Sequence, residues 1–155
     1  MPAVSNSSPL IALAAIERLD LLPALFTTVL VPPAVAQEIA RSIPVAPIWL
    51  NVKALDASLP AVVLRRSLAD GERQAIALAI ELHADPVVLD DLPARRVAKT
   101  AGLNVIGVVG VLLGAKRLGL IDRIRPELDN LLKHSFFLSS QLYEELSQAA
   151  GELDP

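Results

Sequence analysis

The sequence predicts an α/β fold: a three-layer α/β/α sandwich built around a mostly parallel central sheet. Strand-like segments alternate with helical ones, and the strands show little polar alternation, which is typical of parallel strands covered on both faces. With 155 residues, 53% of them hydrophobic, the chain is large enough to bury a sizeable core. We therefore expect one domain over residues 1–155, with no internal repeat or linker.

Prolines and apolar spacing define the predicted elements in the first half of the chain. Ser7 or Ser8 is suited to cap a helix with Pro9 in its first turn, where a missing N–H costs nothing. In order, we predict a strand at 3–5, a helix carrying 10–16, a helical piece at 19–26, a strand at 28–31 and a helix at 34–42. The proline-rich stretch 43–60 should be irregular, with a weak strand near 51–55 and another strand at 62–65.

The second half begins with the clearest helical pattern in the chain. Asp70 is a natural N-cap, and the spacing of Ile76, Ile80 and His83 predicts one buried helix face. The elements predicted after it are a strand at 86–89, a helix at 93–101, a strand at 105–106, a helix at 108–118 ended by Gly119, and C-terminal helices at 121–133 and 140–149.

Composition excludes several classes of protein. The absence of cysteine rules out a disulfide scaffold, a thiolate zinc site and a cysteine nucleophile, and it fits a reducing cytoplasm. No apolar run approaches the roughly 20 residues of a membrane span, and the N-terminus lacks a basic signal region, so we expect a cytoplasmic protein without membrane contact. Because the net charge is −3, a nucleic-acid partner would need a local basic patch.

Oxygen-bearing side chains gather where a parallel sheet binds its ligands, outside the carboxyl ends of the strands. Asn6 ends the first strand, and Asp90 and Asp91 end the strand at 86–89. Glu38 lies one turn inside a helix, and Glu72 lies in the first turn of the helix that starts near Asp70. Clustered carboxylates repel one another, and a hard divalent cation is the usual reason for keeping them together.

Each of these residues has an ordinary structural explanation when taken alone. Asp90 or Asp91 could be a plain helix cap, Glu72 could simply face a helix dipole, and Glu38 could lie on a solvated surface. The basic residues that follow, Arg95, Arg96 and Lys99, could form an ordinary exposed helix face or meet a phosphate backbone. The combination, rather than any single residue, favours a metal site.

Five sequence motifs in this order resemble the PIN-domain superfamily of small nucleases, which includes the VapC-type toxins, and more narrowly an uncharacterised branch of it. The motifs are VSNSSPLIAL, VPPAVAQEI, LADGERQAIALA, VVLDDLPARRVA and VIGVVGVLLGAKRLGLI. They span residues 4–121, so the helices at 122–150 lie beyond the matching part. The resemblance implies a metal-dependent ribonuclease, typically the toxin partner of a small antitoxin.

The resemblance also assigns roles to individual residues. It implies that Asn6, Glu38, Glu72 and either Asp90 or Asp91 hold Mg²⁺ or Mn²⁺, with catalytic roles for Glu38, Glu72 and Asp90. Ser8 resembles the hydroxyl residue that supports such a site. Arg95, Arg96 and Lys99 are candidates for RNA contact by their position on the helix after the cluster, beside the alternative of an ordinary solvated face. The chain departs from the pattern at Asn6, where the superfamily usually has aspartate, so an amide would supply a ligand without charge.

Two further expectations concern the alternatives and the assembly. A PIN-like protein that has lost its chemistry and serves as a nucleic-acid-binding or interaction module remains the alternative to an active nuclease. A phosphoacceptor receiver domain fits poorly, because its paired aspartates follow the first strand, where this chain has Ser5-Asn6-Ser7. The apolar surplus predicts a homodimer, with VAPIWL and its Trp49 as the candidate contact.

Overall fold

A single five-stranded sheet organises the part of the chain that the structure describes. This computed structural model describes residues 2–65 and 67–152, so residue 66 and the ends of the predicted domain, residues 1 and 153–155, lie outside it. The strands are β1 (Ala3–Ser5), β2 (Val29–Val31), β3 (Leu50–Val52), β4 (Val87–Val88) and β5 (Val105–Ile106). Their order is β3-β2-β1-β4-β5, and every neighbouring pair is parallel.

Helices connect these strands and follow them. They are α1 (Ser7–Ala15), α2 (Leu21–Leu25), α3 (Pro33–Ile39), α4 (Asp70–Leu82), α5 (Leu92–Thr100), α6 (Val108–Arg117), α7 (Arg125–Lys133) and α8 (Ser140–Ala149). Helix α4 lies against β1 and contacts α3 and α5, whereas α6 contacts α1 and α2. The predicted three-layer α/β/α sandwich is therefore confirmed.

The strands are short, and the central ones are buried on both faces. Val87 and Val88 are consecutive, so their side chains point to opposite faces of the sheet, and both have no exposed surface. Val4 and Val29 are equally enclosed in the neighbouring strands. Burying a valine, leucine or isoleucine side chain contributes about 1.5–3 kcal/mol relative to leaving it exposed. Burial of these strand residues therefore stabilises the sheet, and the sheet in turn positions the polar groups at the carboxyl ends of its strands.

Two predicted strands and two predicted caps differ from the structure. The strand expected at 62–65 is wrong: Ala61–Val63 forms a single 3₁₀ turn after Pro60, and the weak strand near 51–55 lies instead at Leu50–Val52. Asn6, rather than Ser7 or Ser8, precedes α1 as its N-cap residue. Asp70 is the first residue of α4, and Ala69 takes the N-cap position. Each cap prediction missed by one or two positions. At α1 the three polar residues 6–8 all suit the helix start, whereas the N-cap of α4 is an alanine, whose side chain gives no capping signal.

Helix ends follow the backbone conformations that the sequence allows. Gly119 has φ of 75° directly after the end of α6, as expected for a helix terminated by glycine. His83 ends α4 with φ of 51° and is exposed, so the prediction that it packs on the buried face is wrong. No helix in residues 2–65 and 67–152 has both the length and the apolar character needed to cross a membrane.

Candidate metal centre

The candidate site lies where the direction of strand order reverses, between β1 and β4. These two strands pair in parallel, with Ser5 opposite Val88, so their carboxyl ends open at the same edge of the sheet. The N–H of Asn6 donates a 3.1 Å hydrogen bond to the carbonyl of Val88 and extends this pairing by one residue. Asp90 follows β4 by two residues. Ligands of open α/β sheets bind in this type of crevice.

Two buried oxygen atoms in this crevice have no hydrogen-bond partner among the described residues. They are Oδ1 of Asn6 and Oδ2 of Asp90. Asn6 is only 2% exposed, and its side chain makes no capping bond to α1. Buried polar atoms are nearly always hydrogen-bonded in proteins, so an unsatisfied pair on adjacent strands calls for a donor or a cation. Both atoms are hard oxygen ligands of the kind that Mg²⁺ and Mn²⁺ prefer.

The other carboxylate oxygen of Asp90 is held by the protein itself. The N–H of Val108, at the start of α6, donates a 3.0 Å hydrogen bond to Asp90 Oδ1. Burial raises the pKa of the Asp90 carboxyl above its usual value, and the Val108 N–H bond and the charge of Arg95 offset only part of that increase. The fold therefore orients this carboxylate through Oδ1, and its buried Oδ2 has no partner within the described part of the chain.

Glu38 enters the same region from α3. Its Oε2 accepts a 2.5 Å hydrogen bond from the hydroxyl of Ser7, the first residue of α1. Ser8, which sequence similarity assigned to this supporting role, is exposed and lines a separate groove of about 250 Å³ between α1 and the end of α7. The hydroxyl that contacts the acidic residues is thus that of Ser7. The only sequence feature that points to Ser7 is its position directly after Asn6, a predicted ligand.

Glu72 lies near two other acidic side chains. Its Oε1 accepts a 2.8 Å hydrogen bond from the N–H of Ala69, which satisfies one of the free donors at the start of α4. Burial raises the pKa of the Glu72 carboxyl, the Ala69 bond lowers it, and the negative charges of Asp91 and Glu38 raise it further. Glu72 therefore lies close enough to Glu38 and to Asp91 for their charges to act on it.

Asp90 and Asp91, which the sequence did not separate, have different surroundings. Asp91 is exposed and is the N-cap of α5, where its Oδ2 accepts a 3.2 Å hydrogen bond from the N–H of Ala94. Asp90 has the buried, unpartnered oxygen in the crevice. Of the two, Asp90 has the surroundings of a direct cation ligand, while Asp91 contributes its charge beside Glu72.

The acidic residues adjoin one another without forming a complete metal cage. Within residues 2–65 and 67–152, no three His, Cys, Asp or Glu side chains converge closely enough to hold a metal ion by themselves. Asn6 and Asp90 form one group of donors, and Glu38, Glu72 and Asp91 form a second. The donor atoms are all oxygen, and the unpartnered oxygens of Asn6 and Asp90 are of the type that suits a hard cation.

The basic residues of α5 do not share one exposed face. Arg95 is half-buried, and its Nη1 donates a 2.8 Å hydrogen bond to the carbonyl of Leu89, beside Asp90. Arg96 and Lys99 are exposed. The expectation that Arg95 faces RNA stays a prediction; its Nη1 is engaged with Leu89, and the side chain is less exposed than those of Arg96 and Lys99. Arg96 and Lys99 remain available for contact with a phosphate backbone.

Comparison with known proteins identifies the family. A family model described as "PIN domain" matches residues 2–152, which is nearly the whole chain. The chain belongs to the PIN-domain family. PIN domains are generally nucleases, and they typically use divalent metals. The resemblance that the five sequence motifs indicated is therefore confirmed.

A solved structure supports the fold of this PIN domain. It is a PilT N-terminus domain protein, SSO1118, from the hyperthermophilic archaeon Sulfolobus solfataricus P2. The likeness has a TM-score of 0.58 at 21% sequence identity, and it covers 72% of this chain and 90% of that one. At this identity, the likeness concerns the fold alone. A comparison with curated proteins found no match.

Proposed function

We propose that this PIN domain is a metal-dependent ribonuclease of the VapC type, acting as the toxin of a toxin–antitoxin pair. One observation carries the proposal beyond family membership. Two buried oxygens, Asn6 Oδ1 and Asp90 Oδ2, have no partner in residues 2–65 and 67–152 and lie at the carboxyl ends of adjacent strands, with further acidic side chains nearby. A site with this donor chemistry is suited to Mg²⁺ or Mn²⁺ and to the cleavage of phosphodiester bonds.

In this proposal, the direct ligands are Asn6, Glu38, Glu72 and Asp90, and Asp91 acts as an outer or water-mediated ligand. The ion, when bound, supplies charge stabilisation at the phosphate and activates a water molecule. Glu38 is held by Ser7, and Asp90 is held by the Val108 N–H, so neither carboxylate has to be reoriented from a disordered state. Pre-organised ligands lower the cost of assembling a catalytic site.

The RNA backbone would approach along α5. Arg96 and Lys99 are exposed on this helix, whose N-cap Asp91 adjoins the crevice. Their positive charges would bind phosphates on either side of the scissile bond without reading sequence. Because the chain as a whole is acidic, with a net charge of −3, this local pair matters more than it would on a basic protein.

RNA cleavage with a chelator control tests the proposed function. Cleavage of single-stranded RNA should require Mg²⁺ or Mn²⁺ and stop when EDTA is added. Glu72→Gln should abolish cleavage while leaving the fold intact, because a glutamine side chain there can still accept the Ala69 N–H bond at the start of α4. Glu145→Gln, at an exposed position of α8, is the matched control and should cleave like the native chain. Metal-independent cleavage, or an active Glu72→Gln variant, would contradict the proposal.

A second candidate function is a PIN-like module without catalysis, which binds nucleic acid or a protein. Two observations favour it: Asn6 brings no charge to the first ligand position, and the described acidic residues do not form a metal cage by themselves. RNA binding that is unaffected by EDTA, with no cleavage under any metal condition, would establish this alternative.

We also propose that the protein forms a homodimer and that a small antitoxin is its protein partner. Trp49, the expected centre of the dimer contact, is half-buried and packs against the core. Its neighbours offer the apolar surface instead: Ile48 is 97% exposed and Val45 is 85% exposed. They precede β3, which is one of the two edge strands of the sheet, so the contact would lie along that edge.

A further inference from the structure

Two glycines of the chain differ from the other five in what surrounds them. A β-carbon built on Gly71 or Gly107 would lie within 3.0 Å of another side chain, whereas at the remaining glycines the nearest atom is at 3.4 Å or farther. Atoms that close would overlap, so one of the two would have to move. In both cases the atoms in the way include the carboxylate of a proposed metal ligand.

Gly71 makes room for Glu38. This glycine is the second residue of α4, and its β-carbon would overlap Oε1 of Glu38 and lie 2.9 Å from Cδ. The hydroxyl of Ser7 holds the other oxygen, Oε2. The Glu38 carboxylate is therefore confined between a hydrogen-bond donor on α1 and the bare backbone of α4.

Gly107 makes room for Asp90 in a similar way. Its β-carbon would lie 2.5 Å from Oδ1 of Asp90 and 2.9 Å from Nη1 of Arg95. The same Oδ1 accepts the hydrogen bond from the N–H of Val108, the next residue. A side chain at position 107 would push the carboxylate away from the amide that orients it.

Backbone conformation does not explain why glycine occupies position 71 or position 107. Gly107 has φ of −112°, which other residues adopt freely, and the glycines with positive φ are Gly102, Gly119 and Gly151. Gly71 lies within a helix, where glycine is about 0.5–1 kcal/mol less favourable than alanine. The space that each glycine leaves for a carboxylate therefore accounts for its presence.

We propose that Gly71 and Gly107 are positioning residues whose missing β-carbons form seats for the carboxylates of Glu38 and Asp90, holding both where they bind the cation. The inference rests on the proposed metal-dependent function and deepens it. It also makes a specific prediction for Gly71. An alanine there should favour the helix but displace the end of Glu38 from Ser7, and these two effects on stability oppose each other. Metal affinity should therefore fall while stability changes little.

Mn²⁺ titration calorimetry, together with thermal unfolding in EDTA, tests the seats. Gly71→Ala and Gly107→Ala should bind Mn²⁺ about 10- to 100-fold more weakly, the range seen when support of a metal ligand is lost. Gly71→Ala should unfold close to the temperature of the native chain, because the gain in helix propensity offsets the loss of the Ser7–Glu38 hydrogen bond. Gly114→Ala is the matched control: its β-carbon would meet only Leu25, at 3.6 Å, so Mn²⁺ affinity should not change.

A double-mutant cycle separates positioning from a general disturbance of the helix. Glu38→Ala removes the carboxylate that Gly71 seats, so adding Gly71→Ala to it should cause no further loss of Mn²⁺ affinity. If Gly71→Ala weakens Mn²⁺ binding equally in the native chain and in Glu38→Ala, or does not weaken it at all, the proposed role of Gly71 is wrong. The metal site itself would not be contradicted by either result. If the native chain does not bind Mn²⁺, both the proposed function and the proposed roles of Gly71 and Gly107 are wrong. Gly71→Ala keeps the test decisive if Gly107→Ala does not fold.

Discussion

Ser7 and Glu38 are 31 positions apart in the sequence, yet the hydroxyl of Ser7 donates a 2.5 Å hydrogen bond to Oε2 of Glu38. This bond joins the start of α1 to α3 at the edge of the sheet where Asn6 and Asp90 lie. Its neighbour Ser8 has no such contact with the acidic residues and faces the groove beside α7. Substitution of Ser7 therefore tests this hydrogen bond, and the same substitution at the adjacent Ser8 is its control.

Ser7→Ala should weaken Mn²⁺ binding several-fold, because Glu38 would lose the donor that fixes its carboxylate. The free energy of unfolding should fall by only about 1 kcal/mol, the usual contribution of one hydrogen bond. Ser8→Ala should leave both quantities unchanged. Titration calorimetry and urea unfolding measure the two effects. Equal Mn²⁺ affinities of the two variants would show that the Ser7 hydroxyl does not support the metal site.

Replacing Arg96 and Lys99 with glutamine should weaken RNA binding without altering Mn²⁺ affinity, because both side chains are exposed on α5. Each lost phosphate contact should reduce the slope of log affinity against log salt by about 0.7 for single-stranded RNA. Arg117→Gln, at an exposed position of α6, is the charge-matched control. Fluorescence anisotropy across a salt series makes the comparison. An unchanged slope in the double variant would place the RNA elsewhere.

Glu152 should make stability depend on pH. This buried carboxylate accepts hydrogen bonds from Lys116 Nζ at 2.9 Å and from the N–H groups of Ile124 and Arg125 at 2.6 and 3.2 Å. Burial by itself would raise the pKa of Glu152, but these donors outweigh it and hold the pKa below the ordinary value of 4.5. A carboxyl with a lowered folded-state pKa stabilises the protein above its unfolded-state pKa.

This contribution should be complete above about pH 5 and disappear as the pH falls through the lower folded-state pKa of Glu152. Glu152→Gln should lower the free energy of unfolding by about 2–3 kcal/mol at pH 7, because it leaves charged and backbone donors poorly matched. The difference from the native chain should shrink in acid. Glu145→Gln, exposed on α8, is the control. Urea unfolding from pH 3 to 7 tests this; a pH-independent difference would contradict it.

The exposed apolar residues before β3 should mediate self-association. Ile48→Ser should shift the protein towards monomer at micromolar concentration, because Ile48 is 97% exposed beside the edge strand. Leu118→Ser removes another exposed apolar side chain, 65% exposed at the end of α6, and should leave association unchanged. Light scattering over a concentration series distinguishes the two. A native chain that remains monomeric at high concentration would exclude the homodimer.

The sequence predicts the sheet well because its central strands are continuous apolar runs, as Val87 and Val88 illustrate. It also places the acidic residues at one edge, since parallel strands share the direction of their carboxyl ends. It does not reveal contacts that depend on tertiary structure. The Ser7–Glu38 bond and the seat at Gly71 exist only because α1, α3 and α4 meet.

Local ambiguity accounts for the other differences between prediction and structure. The predicted N-cap of α4 lies one residue too late, because Asp70 suits both the N-cap and the first helical position. Arg95 and Lys99 have the spacing of one helix face, yet Arg95 turns inward to the carbonyl of Leu89. Residue type and spacing do not decide which side chain of one helix face turns inward.

Binding of Mn²⁺ to the native chain and to Asn6→Asp, measured by titration calorimetry, tests the metal site most directly. Asn6 is only 2% exposed, so a new carboxylate there should lower the unfolding temperature in EDTA. The same charge should tighten Mn²⁺ binding, because it supplies the negative ligand that the native amide lacks. We expect saturable binding to both proteins, tighter for Asn6→Asp. No Mn²⁺ binding to either protein would contradict the metal site and leave the module without catalysis as the function.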